Sequence, residues 1–273
     1  MIQLAIEAAL EAGKFLKESV GKVLEVESKF GQETNLVTQI DKKAEEIIIS
    51  KIKARYPDHD FLAEESGSHN KQSEVRWIID PLDGTLNFTH GMPLFSVSIA
   101  VEVKGEVVAG VVYEPNLDEL FTAEKGKGAF LNNKPIRVSR VDNLIESMIV
   151  TGFPYTIKEN PDNAVQHFVN MLMQAQGVRR LGSAAVDLCY VACGRFEGFW
   201  EVHLSPWDMA AGVLIIQEAG GRFTDLRGKP SSIYNKQVLM TNGLIHERML
   251  EILKPGLDGK SPHIQVLTPP FST

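Results

Sequence analysis

Three short stretches of the chain place carboxylates where a backbone turns: Ala63-Glu64-Glu65-Ser66, Asp80-Pro81-Leu82-Asp83-Gly84-Thr85 and Trp207-Asp208-Met209. Asp80 follows the apolar run Trp77-Ile78-Ile79, so its carboxyl group is expected at the end of a strand, where a buried sheet meets solvent. Pro81 removes a backbone donor and fixes the turn, a geometry expected to hold Asp80 and Asp83 close together with the Leu82 carbonyl pointing inward. Two carboxylates and a carbonyl are hard oxygen ligands of the kind magnesium prefers. Without a cation they would repel, and one would keep its proton. Gly84 and Thr85 open a short turn or helix through Leu86-Asn87-Phe88, and their N–H groups would face outward as a cradle for an anion. Metal ligands beside a phosphate cradle are what metal-assisted phosphoryl hydrolysis requires. The same acids also have plainer uses: Asp83 can cap a turn, Asp208 can be a first-turn acid favoured by a helix dipole, and Asp41 can complete a capping box.

Such groups need a scaffold, and hydrophobic periodicity outlines one. Residues 1–20 read as an amphipathic helix, with Ile2, Ile6, Ala9, Ala12 and Leu16 at helical spacing. A second helix starts near Thr38, where Thr38 and Asp41 fit a capping box, and stops at Tyr56-Pro57. Val75 to Ile79 is a short strand ending on the turn at Asp80. Phe95 to Val103 alternates, with Phe95, Val97, Ile99, Val101 and Val103 on one face and Ser96, Ser98, Ala100 and Glu102 on the other. Lys104-Gly105-Glu106 joins it as a hairpin to Val107–Tyr113, and Glu119–Ala123 continues the strand-rich block. Strands at Met148–Thr151 and Gly177–Leu181 then frame a helix over Ala164–Gln174, and Ser183–Ala192 and Trp207–Glu218 read as two more helices. The end, Pro255–Thr273, reads as a loose tail. Helices, then mostly antiparallel strands, then helices alternating with strands argue for a layered α+β architecture rather than a regular parallel one.

A chain of 273 residues corresponds to one large domain or two lobes sharing a core. Its 44% hydrophobic and 23% charged residues exclude the disordered, collagenous and disulfide-rich classes. With 28 basic against 35 acidic residues, a net charge of -7 and no basic stripe, direct binding to nucleic acid is not expected. Cys189 and Cys193, four apart in an apolar run, fit two small hydrophobes on one helix face rather than a disulfide framework. The first twenty residues carry Glu7, Glu11, Lys14 and Lys17 among their apolar positions, which does not fit a signal peptide, and no apolar run of about 18 residues occurs. A reduced, cytoplasmic protein without membrane attachment is the expectation.

Trp77-Ile78-Ile79-Asp80-Pro81-Leu82-Asp83-Gly84-Thr85-Leu86-Asn87-Phe88 closely resembles the first signature of the inositol monophosphatase family. Trp207-Asp208-Met209-Ala210-Ala211-Gly212, followed by Glu218-Ala219-Gly220-Gly221, resembles its second. Ala63-Glu64-Glu65-Ser66 resembles the family's glutamate motif, and Leu36-Val37-Thr38 with Asp41 its upstream aspartate motif. The resemblance implies a layered α-β-α-β-α sugar-phosphatase fold in a single domain over 1–265, with lobes of about 1–150 and 151–265 and a loose tail over 266–273. It implies two or three Mg2+ per site. Glu64, Asp80 and the Leu82 carbonyl would hold the first ion with the attacking water, and Asp80, Asp83 and Asp208 a second near the leaving oxygen. Thr85, supported by Asp41 and with Glu64 close by, would orient and deprotonate the water, while Glu65 would help hold water around a third, weak metal position. The backbone of Gly84 and Thr85 would receive the phosphate beside Asp83, Glu201 would bind a hydroxyl of the alcohol, and Gly182-Ser183-Ala184 would lie against the sugar ring.

The implied activity is hydrolysis of a small phosphate monoester, inositol 1-phosphate above all, by in-line attack of water and without a phosphoenzyme. Lithium sensitivity and a homodimer, with Phe95–Val103 in its interface, belong to the same expectation. A haloacid-dehalogenase type of phosphatase would have its two aspartates two positions apart; here Asp80 and Asp83 are three apart with Pro81 between them. Within the fold, fructose-1,6-bisphosphatase and histidinol-phosphate phosphatase are the alternatives, with Arg179 and Arg180 available to grip a second phosphate. From another class comes a regulatory protein that binds the transcription machinery, as some bacterial members do. His90 and His203 lie near the motifs but match no ligand position of the family, and read as loop histidines.

Overall fold

The computed structural model describes residues 1–22, 26–28 and 36–254. In chain order the first part comprises α1 (Ile2–Ser19), β1 (Val26–Ser28), β2 (Leu36–Thr38), α2 (Gln39–Arg55), β3 (Asp60–Ala63), β4 (Gly67–His69), β5 (Val75–Asp83), α3 (Thr85–Thr89), β6 (Ser96–Val103), β7 (Glu106–Glu114), β8 (Glu119–Glu124), β9 (Ala129–Leu131) and β10 (Lys134–Pro135). The second comprises β11 (Met148–Thr151), α4 (Ala164–Leu172), β12 (Gly177–Arg179), α5 (Ala184–Ala192), β13 (Gly198–Val202), α6 (Pro206–Glu218), β14 (Arg222–Thr224), β15 (Gln237–Thr241) and α7 (His246–Leu253).

Two larger sheets organise these elements. The first has eight strands in the order β10-β9-β8-β7-β6-β5-β3-β4, antiparallel except where β3 runs alongside β5. The second has five in the order β12-β11-β13-β15-β14, with β11 parallel to both its neighbours. Helices α1 and α2 cover one face of the large sheet, α5 and α6 lie between the sheets, and α4 and α7 pack together over the small one. The result is the layered α+β architecture expected from the order of elements, in the α-β-α-β-α arrangement that the family resemblance implied.

The local reasons are visible in the residues. Helix α1 buries Ala5, Ala8, Ala9, Ala12 and Leu16, a mostly small-residue stripe that lets it lie close to α2 and the sheet. Helix α2 begins at Thr38, whose hydroxyl accepts from the N–H groups of Ile40 and Asp41 while Asp41 reaches back to the Thr38 N–H at 2.8 Å. In α6 every residue from Met209 to Ile216 is buried, because sheets flank that helix on both sides. Cys189 is buried within α5 and Cys193 is half-buried at its end, and burial pushes both thiols upward.

Two expectations are corrected. The strand from Val75 does not stop at Ile79 but runs on through Asp83, pairing Asp80 with Ser98 and Asp83 with Ser96 across an irregular register. Strict alternation would send residues three apart to opposite faces; three steps on β5 against two on β6 form a bulge that turns both carboxyl groups to one side. Strand β6 is central and cannot supply a dimer interface: Val97, Ile99 and Val101 are fully buried, and so is the polar face. Ser98 donates to the Trp207 carbonyl, Ser96 lies 3.3 Å from the Ser183 hydroxyl, and Glu102 accepts from Tyr234. Boundaries shift slightly at Gly177–Arg179 and Ala164–Leu172. The tail expected over Pro255–Thr273 lies outside the described residues. Among the described residues no helix is long and apolar enough to cross a membrane.

Candidate active site

The bulged end of β5, the start of α3, the turn after β3 and the first turns of α5 and α6 meet around one cavity of about 490 Å³. Glu64, Asp80, Leu82, Asp83, Gly84, Thr85, Gly182, Ser183, Ala184, Glu201 and Asp208 all line it. The expected site residues are therefore brought together there except Asp41, which stands behind Thr85, and Glu65, expected near a third metal position. Glu65, Arg179 and His90 are not among the lining residues, whereas Arg180, Lys236, Tyr155 and the exposed His203 are.

Each side chain is held by a nameable local device. Asp80 accepts from the Leu82 N–H at 3.0 Å, closing the bend across Pro81. Asp83 accepts from the Ser183 hydroxyl at 2.6 Å and the Ala185 N–H at 2.7 Å, so the first turn of α5 grips it. Asp208 is the third residue of α6 and accepts from the Ser205 N–H at 2.7 Å, and Pro206 occupies the first helical position, where its missing donor costs nothing. The Thr85 hydroxyl lies 2.8 Å from Asp41 Oδ1 and 3.1 Å from the Leu82 carbonyl, while Asp41 Oδ2 takes the N–H and hydroxyl of Thr38. Asp41 thus completes its capping box with one oxygen and holds Thr85 with the other.

Gly84 has φ +100°, and a side chain there would meet the carbonyls of Gly182 and Leu94 at 3.2 Å. Only glycine makes that turn at low cost. The Asn87 amide donates to the carbonyls of Leu94 and Leu181, both at 2.8 Å, and so ties α3 to the loop that carries Gly182. The Ser183 hydroxyl is committed to Asp83, so this serine supports a carboxylate instead of reaching for a ligand.

Electrostatics single out the same place. Burial raises Asp80 well above the usual carboxylate range, and the charges of Glu64, Asp83 and Asp208 raise it further. Asp208 is pushed up by burial and then by Glu64 and Asp83. Asp83 is pushed up to about 6 by burial, against the lowering effect of its bonds to Ser183 and Ala185. Glu201, at the end of β13, is pushed up to about 8 by burial and by Asp83, with Arg180 opposing. Tyr155 lies near the same acids, and burial together with Glu64, Asp208, Asp83 and Asp80 drives its phenol upward. Buried acids raised by their neighbours in this way are stabilised as anions by a cation placed among them.

A profile of the inositol monophosphatase family matches residues 1–256. The chain belongs to that family. It is 42% identical to the inositol-1-monophosphatase of Mesorhizobium japonicum over 95% of this chain and 98% of that protein. It is 44% identical to the Nus factor SuhB of Vibrio cholerae over 84% of this chain and 86% of that one. The crystal structure of the extragenic suppressor protein suhB from Bartonella henselae superimposes with a TM-score of 0.88 at 42% identity, covering 93% of this chain and 98% of that one.

Inositol monophosphatase family members are generally magnesium-dependent, and the donor set here suits that ion: carboxylates and a backbone carbonyl, with no sulfur or imidazole among them. Among the described residues no three acidic, histidine or cysteine side chains already surround one metal position; instead Asp80 and Glu64 share a hydrogen bond that relieves their repulsion. Two supports were not foreseen from sequence. Glu45 on α2, 4% exposed, accepts from the N–H groups of Glu65 at 2.8 Å and Ser66 at 2.9 Å, and so holds the turn bearing Glu64. Gly152 lies against the Glu201 carboxyl group with no room for a side chain. A buried acid on α2, one turn beyond Asp41, was the available signal for Glu45; nothing local marks Gly152.

Proposed function

We propose that the chain is a magnesium-dependent phosphomonoester hydrolase of the cytoplasm, acting best on inositol 1-phosphate. The single observation that carries this reading is the convergence of Glu64, Asp80, Asp83, Thr85, Asp208 and Glu201 on one cavity. Glu64, Asp80, the Leu82 carbonyl, Asp83 and Asp208 would hold two or three Mg2+. Bound there, the ions neutralise a phosphate dianion and lower the pKa of water. The protein's own groups do the rest. Asp41 fixes the Thr85 hydroxyl so that its oxygen faces the cavity and can take a hydrogen bond from water. The Gly84 turn and the N–H groups at the start of α3 receive the phosphate. Glu201 and the Gly182-Ser183-Ala184 loop meet the alcohol.

The direct experiment is phosphate release from inositol 1-phosphate, fructose 1,6-bisphosphate, histidinol phosphate and 3'-phosphoadenosine 5'-phosphate, with and without magnesium. Inositol 1-phosphate is expected to lead, and a tenfold preference for fructose 1,6-bisphosphate would reverse the assignment. Asp208→Asn should remove nearly all magnesium-dependent release while the protein remains folded. A second reading, a regulatory binding protein, is favoured by the 44% identity to a relative named as a Nus factor. Magnesium-independent silence of the wild-type chain on the whole panel would support it.

A further inference from the structure

Asp187 has no role in the account above, yet it is the one acidic side chain lining the cavity whose buried oxygen is left without a partner among the described residues. It is 1% exposed, and its Oδ1 finds no hydrogen-bond donor. Leaving a buried acceptor unpaired is costly, and the cavity that Asp187 lines is where a donor for its carboxyl group can enter. Helix α5 brings Asp187 in just behind the turn that grips Asp83, and its nearest electrostatic neighbours are Glu201, Asp83 and Arg180. Glu201 shares two of these, Asp83 and Arg180. Two acids therefore stand together on the alcohol side, with a guanidinium close to both.

The occupant can be narrowed by chemistry. A phosphate dianion offers only acceptor oxygens and so cannot supply the missing donor. A further cation would stand beside the Arg180 guanidinium, which already neighbours both acids. A hydroxyl supplies the donor at no charge cost, and two neighbouring hydroxyls supply one for each acid. We propose that Asp187 is a second hydroxyl-binding carboxylate, which with Glu201 selects phosphate esters of polyols carrying adjacent free hydroxyls. The inference rests on the phosphatase reading and extends it from one hydroxyl contact to a fork of two.

The test compares wild type with Asp187→Ala and Asp187→Asn on inositol 1-phosphate, on its monodeoxy analogues and on ethyl phosphate, in magnesium. For Asp187→Ala the ratio of kcat/KM on inositol 1-phosphate to that on ethyl phosphate should fall tenfold or more, with a smaller fall for the isosteric Asp187→Asn, which also serves if the alanine variant does not fold. One deoxy analogue should be penalised in wild type and no longer penalised in the variant. Equal losses on both esters, additive effects for every deoxy analogue, or an unchanged ratio with a raised magnesium requirement would each overturn the proposal. If wild type hydrolyses none of these esters, the phosphatase reading fails separately. Calorimetric titration with inositol 1-phosphate then decides, with tenfold weaker binding to Asp187→Ala in favour and equal binding against.

Discussion

Asp41 is where a structural and a chemical role can be separated by one atom. Its two oxygens accept three hydrogen bonds at a position with 0% exposure: Oδ2 takes the Thr38 N–H at 2.8 Å and hydroxyl at 2.5 Å, and Oδ1 takes the Thr85 hydroxyl at 2.8 Å. In Asp41→Asn the amide oxygen can stay on Thr38, which preserves the capping box, and the amide nitrogen must then face Thr85. The Thr85 oxygen becomes an acceptor from Asn and its proton can go only to the Leu82 carbonyl, 3.1 Å away. One of its two lone pairs is thereby taken, and no carboxylate remains behind Thr85 to draw on the proton that water would pass to it. Proton-transfer groups contribute about 10²–10⁴ in rate, so a loss of about 100-fold in kcat is expected, equivalent to about 2.7 kcal/mol of barrier. Stability should fall by only about 1 kcal/mol, since most of the cap survives. Initial rates of phosphate release and chemical unfolding of the same preparations measure both. Thr38→Val provides the contrast: it removes a cap hydroxyl and should cost about 1 kcal/mol of stability with a much smaller rate loss. A rate for Asp41→Asn within threefold of wild type, or a loss matched by Thr38→Val, would refute the relay and leave Asp41 a helix cap.

Further outcomes are expected. Glu45→Gln keeps one acceptor for the Glu65 and Ser66 amides but turns a donor toward the other, so it should lower kcat/KM by about 10-fold and raise the half-saturating magnesium concentration, read from rates across a magnesium titration. Gly84→Ala forces a side chain into left-handed backbone against two carbonyls and should cost about 2 kcal/mol or more, with loss of activity, by thermal unfolding and phosphate release. Glu201 has an ordinary value of 4.5 and is pushed up to about 8 in the fold. The folded state then holds its proton where the unfolded chain has lost it, so the metal-free protein should lose stability as pH rises from about 4.5 to about 8. Glu201→Gln should flatten that decline in unfolding titrations at pH 5 and pH 8 in chelator, and an unchanged slope would exclude Glu201 as its source.

The sequence by itself determined which residue types could do the chemistry and most of the elements that carry them. Thr38 and Asp41 announce a helix start that the fold realises unchanged, and the alternation of Phe95–Val103 announces a strand, because capping and period-2 patterning are local physics. The acids at 64, 80, 83 and 208 were legible as one donor set through the family signatures they sit in, whereas their positions at turns by themselves left Asp83 and Asp208 open to plain capping roles. Locality also marks where that reading stops. A turn was expected at Asp80, but the neighbouring strand β6 decides that β5 continues and bulges, since register is a property of two strands. Phe95–Val103 was expected in a dimer interface, and its polar face is instead covered by α6 and by Ser183 and Tyr234. Glu45, Gly152 and Asp187 stand far along the chain from the groups they meet, and nothing near them in sequence says so. Only packing brings Glu45 under the Glu64 turn, presses Gly152 against Glu201 and leaves the Asp187 oxygen without a donor, because the burial that perturbs a charge is created by the whole fold.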